Sequence, residues 1–291
     1  MLTAYRTVDV FTQTPLEGNP LAVFPDARGI EPATMQRIAR ELNLSETTFV
    51  LPATRSDCAA RVRIFTPANE MLFAGHPTIG TAWVLRDAGI VPVATSHFVL
   101  EENVGPVSIR IDPEPEPIVW LATPPISSGA TYDRAKCAAA ISLSNADLLD
   151  GVPCRLLTAG NPNIYITLRD KAAVDRAVVD TAALRTMLGT TPPTCIFVFA
   201  PTADGAYSRM FAPDLGVPED PATGSATGPL AAFMMEHGLV AHTDGTRFIS
   251  EQGTKMGRRS ILHVQIRGDH GTQAIEVGGY VTPIATATMT L

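Results

Sequence analysis

The sequence predicts an α+β protein built from two similar halves, each a shell of short strands around one apolar helix. The main observation is that residues 71–85 and 221–235 contain no Asp, Glu, Lys or Arg. A helix without a polar face must be buried on all sides, so in a strand-rich chain the sheet has to surround it. The 24 prolines and 22 glycines indicate the many turns that short strands need.

The first half shows the strand and helix patterns that this arrangement requires. Residues 32–42 carry apolar side chains at helical spacing. The apolar helix is expected to begin near His76, because Pro77 is tolerated only in a first turn, and to end near Gly89. Alternating or apolar runs predict strands at 4–11, 21–24, 47–51, 61–65, 97–101, 107–111 and 118–122.

The second half repeats landmarks of the first half in the same order. The turn Gly18-Asn19-Pro20 recurs as Gly160-Asn161-Pro162, and residues 75–91 match residues 224–240 without a gap. Matched landmarks whose offset drifts slowly indicate a duplicated chain. A helix is predicted at 172–188, and strands are predicted at 164–168, 195–199, 246–250, 261–267 and 274–277.

Composition excludes several classes of function. The net charge of −7 does not provide the basic field that attracts nucleic acid or anionic membranes. No apolar run is long enough to span a bilayer, and residues 1–6 enter a strand pattern rather than a signal peptide. The four cysteines form no CxxC pair, which favours reduced thiols. We therefore expect a cytoplasmic protein that acts on a small molecule.

The sequence also offers no motif for a metal or a cofactor. The histidines lack metal-ligand spacing, and neither a P-loop nor a GxSxG elbow is present. Pyridoxal phosphate needs a lysine, and Lys136, Lys171 and Lys255 are all distant in sequence from both helix starts. The expected cofactor set is therefore empty, and no metal site is predicted.

The two helix starts are the candidate binding positions. A helix N-terminus presents unpaired N–H groups and a partial positive charge, and Gly75 and Gly224 would let a small carboxylate approach them. The alternative is that both are ordinary helix-start glycines. His76 could position a substrate or relay a proton, or it could be a packed histidine. Asp220 and Ser225 could contact a substrate or could cap the second helix.

Glu46 is inconspicuous by pattern. It follows the helix at 32–42 and precedes an apolar strand, so it stands where a loop enters the core. If the strand carries this carboxylate into the interface between the two halves, burial would suit it to general acid–base catalysis. The alternative is an exposed, inert glutamate, which is the common state of that residue.

These segments together resemble the phenazine-biosynthesis PhzF family. The resemblance lies in Gly18-Asn19-Pro20, Asn43-Leu44-Ser45-Glu46-Thr47, Arg63-Ile64-Phe65-Thr66-Pro67, Phe73-Ala74-Gly75-His76-Pro77-Thr78 and Glu219-Asp220-Pro221-Ala222-Thr223-Gly224-Ser225-Ala226. It implies a diaminopimelate-epimerase-like fold with two pseudo-symmetric domains, each a mostly antiparallel, barrel-like sheet around a central buried helix. The site is expected between the domains, and a homodimer is expected. We place the domains at 1–115 with about 281–291, and at 116–280.

The resemblance also implies the chemistry. Such a protein is a cofactor-independent isomerase or epimerase that moves a proton on a small carboxylate such as trans-2,3-dihydro-3-hydroxyanthranilate. Carried over by position, Glu46 is the catalytic acid–base, and the implied supporting catalytic residues are His76, Asp220 and Ser225. The implied substrate-binding residues are Asn19, Gly75, Thr78, Thr223 and Gly224. Neither helix start carries a cysteine, which disfavours a two-thiol racemase. The alternative function is a non-catalytic small-molecule or protein-binding member of the same fold.

Overall fold

The structure is a computed structural model that describes residues 2–112, 117–192, 194–268 and 274–291. The chain divides into two compact units, one formed by Met1–Ala122 with Glu276–Leu291 and the other by Thr123–Ile275. Both units combine a sheet with a small number of helices. In the described ranges no helix is long and apolar enough to cross a membrane.

The elements are numbered in chain order. The strands are β1 Leu2–Val10, β2 Asn19–Phe24, β3 Glu46–Leu51, β4 Ala60–Phe65, β5 Glu70–Met71, β6 His97–Glu102, β7 Gly105–Ile111, β8 Val119–Ala122, β9 Ser127–Tyr132, β10 Cys154–Thr158, β11 Pro162–Thr167, β12 Cys195–Thr202, β13 Gly205–Ala212, β14 Val217–Asp220, β15 Arg247–Gln252, β16 Ser260–Arg267, β17 Ala274–Gly279 and β18 Val281–Thr290. The α-helices are α1 Pro32–Leu42, α2 Gly75–Asp87, α3 Arg134–Ala140, α4 Lys171–Arg176, α5 Thr181–Leu188 and α6 Gly224–Glu236.

The first unit is a sheet that packs around α2. Its strands follow the order β18–β1–β2–β3–β4–β6–β7–β8–β17. Pairing is parallel at β2/β3 and β4/β6 and antiparallel elsewhere in this order. Helix α2 is buried over most of its length, as a helix without a polar face requires. The helix α1 packs on the other side of β2, β3 and β4 through Met35, Ile38 and Ala39.

The second unit repeats this plan around α6. Its strands follow the order β9–β10–β11–β12–β13–β15–β16, with parallel pairing at β11/β12 and β13/β15. The register is repeated as well: Ala60 pairs with Leu100 in the first unit, and Ala206 pairs with Ser250 in the second. Side chains of α6 form one core with the sheet, while α3, α4 and α5 cover its other face. The duplication therefore extends to individual strand pairs.

The structure corrects two local predictions. The helix predicted at 172–188 is two helices, α4 and α5, because Asp180 accepts hydrogen bonds from the N–H groups of Ala182 and Ala183 and so starts a new helix. The first strand ends at Val10 rather than at residue 11, because Phe11 has a positive φ of 67° that is incompatible with a strand.

Helix α2 approaches the sheet closely at Gly80. A Cβ atom at this position would lie 2.6 Å from Leu21 Cδ2 and 2.8 Å from Val10 Cγ2. Both neighbours are fully buried, so neither has free space into which to move. Only glycine allows this separation between the helix and strands β1 and β2.

We expect Gly80→Ala to destabilise the protein by about 1–3 kcal/mol through overpacking. Helix propensity alone predicts the opposite sign, since alanine is favoured over glycine by about 1 kcal/mol in a helix interior. Urea unfolding of this variant, compared with Arg37→Gly and Arg37→Ala at an exposed position of α1, separates the two effects. A Gly80→Ala protein more stable than the parent would contradict the close packing.

Candidate active site

Both central helices begin without a side-chain cap. Helix α2 starts after Ala74, which is extended at φ −152° and ψ 135°, and helix α6 starts after Thr223. In the part of the chain that the structure describes, neither N-cap residue, Ala74 or Thr223, accepts a hydrogen bond on its side chain from the first turn of its helix. Because Gly75 and Gly224 carry no side chain, the amides of these first turns are suited to an anion such as a carboxylate.

Three predicted residues meet at the start of α2. Asn19 begins β2, Glu46 begins the adjacent parallel strand β3, and His76 is the second residue of α2. The amide Nδ2 of Asn19 lies 3.1 Å from His76 Nδ1. The His76 Nε2 atom lies 3.3 Å from Glu46 Oε2, although the two atoms are not aligned as a hydrogen bond. The side chains of His76 and Glu46 are only 4% and 14% exposed, which places the carboxylate at the edge of the interior.

The imidazole of His76 is neutral. Burial lowers the pKa of His76 to about 3, because removal from water disfavours the charged ring. The Asn19 amide donates to Nδ1, and we assign the ring proton to Nε2 on that basis. His76 therefore presents a neutral Nε2–H donor toward Glu46.

Thr78 lies within the first unit but faces the interior of the protein. It is fully buried, and its hydroxyl lies 2.7 Å from the Ala74 carbonyl oxygen and 2.6 Å from Glu102 Oε1. Burial raises the pKa of Glu102 to about 8. The sequence reasoning did not identify Glu102, because its burial depends on the register of β6, which the local pattern does not define.

The second unit brings together Asp220, Thr223 and Ser225 around the start of α6. The Thr223 hydroxyl donates to Asp220 Oδ2 at 2.5 Å. Gln252, at the end of β15, donates to the Thr223 hydroxyl at 2.9 Å and accepts from the Thr223 N–H at 3.1 Å. Asn161 Nδ2 lies 3.4 Å from Ser225 Oγ. Asp220 therefore acts on the helix start through the side chain of Thr223.

One arrangement occurs in both units. The asparagine of each Gly-Asn-Pro turn directs its amide to the second residue of the central helix, from Asn19 to His76 and from Asn161 to Ser225. Asn161 is a further candidate site residue that the sequence pattern had not singled out. The repeated turn could have identified it, since Asn19 was already a candidate.

The cluster in the first unit has the components of acid–base chemistry. Glu46 supplies a carboxylate, His76 a neutral N–H donor, and the start of α2 a place for an anion. Among the described residues there is no group of three or more His, Cys, Asp or Glu side chains that could hold a metal ion.

The chain is similar to known proteins over most of its length. The sequence model of the family described as "Phenazine biosynthesis-like protein" (PhzC-PhzF) matches residues 8–287. A trans-2,3-dihydro-3-hydroxyanthranilate isomerase from Pseudomonas aeruginosa is 35% identical over 278 residues, which cover 94% of this chain and 95% of that relative.

Solved structures share the fold along the whole chain. A PhzF-family phenazine biosynthesis protein from Bacillus anthracis gives a TM-score of 0.90 at 25% identity and covers 100% of both chains. A predicted epimerase from Pseudomonas aeruginosa gives a TM-score of 0.82 at 34% identity and covers 99% of both chains. These neighbours confirm the predicted α+β, epimerase-like fold. The chain belongs to the phenazine biosynthesis-like PhzC-PhzF family and is an isomerase.

Proposed function

We propose that this isomerase moves a proton between two carbon atoms of a small carboxylate substrate, with Glu46 as the single acid–base. The observation that carries the proposal is the contact of Glu46 Oε2 with His76 Nε2 at 3.3 Å, at the start of a buried helix. A general base needs a defined position, partial shielding from water and a group that orients it. Glu46 has all three in the first unit.

The proposed reaction has two proton transfers. The Glu46 carboxylate takes a proton from one substrate carbon, and the electron pair left behind is delocalised into the conjugated system. The protonated Glu46 then returns a proton to a second carbon, so the enzyme regains its starting state. The His76 Nε2–H group orients the carboxylate, since a contact that is poorly aligned without substrate can tighten when substrate binds. These two proton transfers require no cofactor.

The substrate is proposed to bind through its own carboxylate. The first-turn amides of α2 offer N–H donors and the positive end of the helix dipole, and Gly75 leaves them accessible. The relative from Pseudomonas aeruginosa is named for its action on trans-2,3-dihydro-3-hydroxyanthranilate, so that acid is the first candidate for this chain. An epimerisation of a related acid is the second form of the same chemistry.

The residues at the start of α6 are proposed to contribute to substrate binding. Gly224 exposes the helix amides, and the Ser225 hydroxyl is held by Asn161. Thr223 and Asp220 are proposed to shape the helix start, because the Thr223 hydroxyl donates its hydrogen to Asp220. Thr78 is proposed to shape the start of α2 in the same way, because its hydroxyl lies between the Ala74 carbonyl and the Glu102 carboxyl group.

We also propose a homodimer in the cytoplasm. The four cysteines are unpaired, which is compatible with a reducing compartment. Residues 281–291 contain no charged side chain, and the side chains of β18 are mostly exposed. An exposed, uncharged strand of this kind is a template for association. Sedimentation equilibrium measures the assembly directly, and a monomer at micromolar concentration would contradict the dimer.

Glu46→Gln is expected to slow the reaction by about 10²–10⁴-fold, because the amide cannot accept the substrate proton. The measurement is deuterium incorporation from deuterated water into trans-2,3-dihydro-3-hydroxyanthranilate and related acids, followed by mass spectrometry. Glu41→Gln, on the exposed side of α1, is the matched control and should retain the parental rate. Equal rates for Glu46→Gln and the parent would show that Glu46 is not the base. Binding of several acids without exchange would favour a non-catalytic binding protein.

The ¹⁵N resonances of His76 should report a neutral Nε2–H tautomer throughout pH 5 to 8, because burial holds its pKa at about 3. Free histidine in the same sample is the control. Since the unfolded chain takes up this proton near pH 6.5, His76 lowers the stability of the fold as the pH falls from 6.5 toward 3. His76→Asn should reduce that dependence. Titration of the His76 resonances near pH 6.5 would contradict the assignment.

A further inference from the structure

A buried carboxyl group, Glu102, lies beneath the first turn of α2 and has no part in the proposed proton transfers. It is the last residue of β6, and only 4% of its surface is exposed. Its Oε1 atom lies 2.6 Å from the hydroxyl of Thr78, which is itself fully buried. A buried carboxylate without a cation is costly, so the protonation state of this group needs an explanation.

The contacts of Thr78 are those that a proton on Glu102 would complete. The Thr78 hydroxyl has one hydrogen but two close oxygen neighbours, the Ala74 carbonyl at 2.7 Å and Glu102 Oε1. A carbonyl oxygen can only accept. When Thr78 donates to Ala74, the second short contact is a hydrogen bond only if Glu102 is the donor. A neutral carboxylic acid therefore completes a chain from Glu102 to Thr78 to Ala74.

The second unit carries a neutral side chain at the strand position that corresponds to Glu102. Glu101 pairs with Arg61 in β4, and Glu251 pairs with Tyr207 in β13, so the next residues, Glu102 and Gln252, are equivalent in register. Gln252 is fully buried and donates to the Thr223 hydroxyl at 2.9 Å. Glutamine is the neutral isostere of a protonated glutamate. The two side chains share a strand position but not the same partner, because Thr78 corresponds to Thr227 while Gln252 contacts Thr223, the residue before α6.

The charged groups on the elements around Glu102 are engaged elsewhere. On β6, the Glu101 carboxylate accepts hydrogen bonds from Thr54, and on α2 the His76 ring is neutral. On the flanking strands, Arg63 pairs with Glu70 and Arg110 pairs with Glu276. Arg61 of β4 lies opposite Glu101, and the pKa of that carboxylate is lowered by the Thr54 hydrogen bond and also by the charge of Arg61. Burial is the leading cause that raises the pKa of Glu102 to about 8, and the hydrogen bond that Thr78 can donate to the ionised carboxylate opposes this rise.

We propose that Glu102 is a positioning residue that, as a neutral acid, donates its proton to Thr78 and so fixes the first turn of α2 for the reaction. It acts through that turn, which carries Gly75 and His76, and its effect on the rate rests on the function proposed above. When Glu102 loses its proton, the carboxylate can only accept, and Thr78 must turn its hydrogen from Ala74 to Glu102. The first turn of α2 then loses one of its hydrogen bonds.

The first test follows the backbone amide resonances of residues 75–78 between pH 6.5 and 9.5. In the parent protein these resonances should shift with a midpoint near pH 8. In Glu102→Gln they should remain constant, because the amide donates at every pH. Glu101→Gln is the matched control and should titrate as the parent does. Constant amide shifts in the parent would overturn the proposal, and this readout does not depend on turnover.

The second test is the pH dependence of deuterium exchange. The parental rate should fall about tenfold from its plateau by pH 9, as the protonated fraction of a group with a pKa near 8 decreases. Glu102→Gln should match the parental rate at pH 7 and lack this decrease. Suppose that the amide resonances of residues 75–78 titrate in the parent, but the exchange rate of Glu102→Gln still falls at alkaline pH. Glu102 would then have no positioning role. If no acid exchanges at all, the proposed function fails while the amide titration still decides the state of Glu102.

Discussion

Each unit depends on the burial of the first turn of a helix inside a sheet. Most polar groups there are buried, so they require partners from the protein or from a ligand. Thr78 and Thr223 occupy this zone with their hydroxyls, and Glu102 and Gln252 reach them from the ends of β6 and β15. The same constraint that makes the core tight leaves the first amides of α2 and α6 as places where a ligand can complete the hydrogen bonding.

The duplication supplies two copies of one scaffold, and the copies carry different chemistry. The asparagine of the Gly-Asn-Pro turn contacts an imidazole in the first unit and a hydroxyl in the second. A carboxyl group at the end of β6 corresponds to an amide at the end of β15. The carboxylate of Glu46 is the group to which we assign the acid–base role in the first unit. Shared backbone geometry with divergent side chains is how one fold accommodates a reaction without symmetry.

The central helices were predictable because both segments lack charge, and α2 also has Pro77 in its first turn. The register of the strands was not predictable, since it depends on pairing between distant segments. For that reason Glu102 was missed, and the break near Asp180 was missed because a local cap outweighed a continuous helical pattern. Glu46 was selected through resemblance to a family rather than through pattern. Its place beside His76 depends on the parallel pairing of β2 and β3.

The pairing of β1 with β18 joins residues from the two ends of the chain, with Leu2 opposite Thr290. The sheet of the first unit therefore cannot be completed until residues 281–290 have left the ribosome. The second unit is a continuous segment, Thr123–Ile275, and all of its strands are available earlier. During synthesis, the edge of β1 that pairs with β18 stays unpaired until the end, while the complete second unit is already available for folding. The last strand of the first unit therefore becomes available only after the whole second unit has been synthesised.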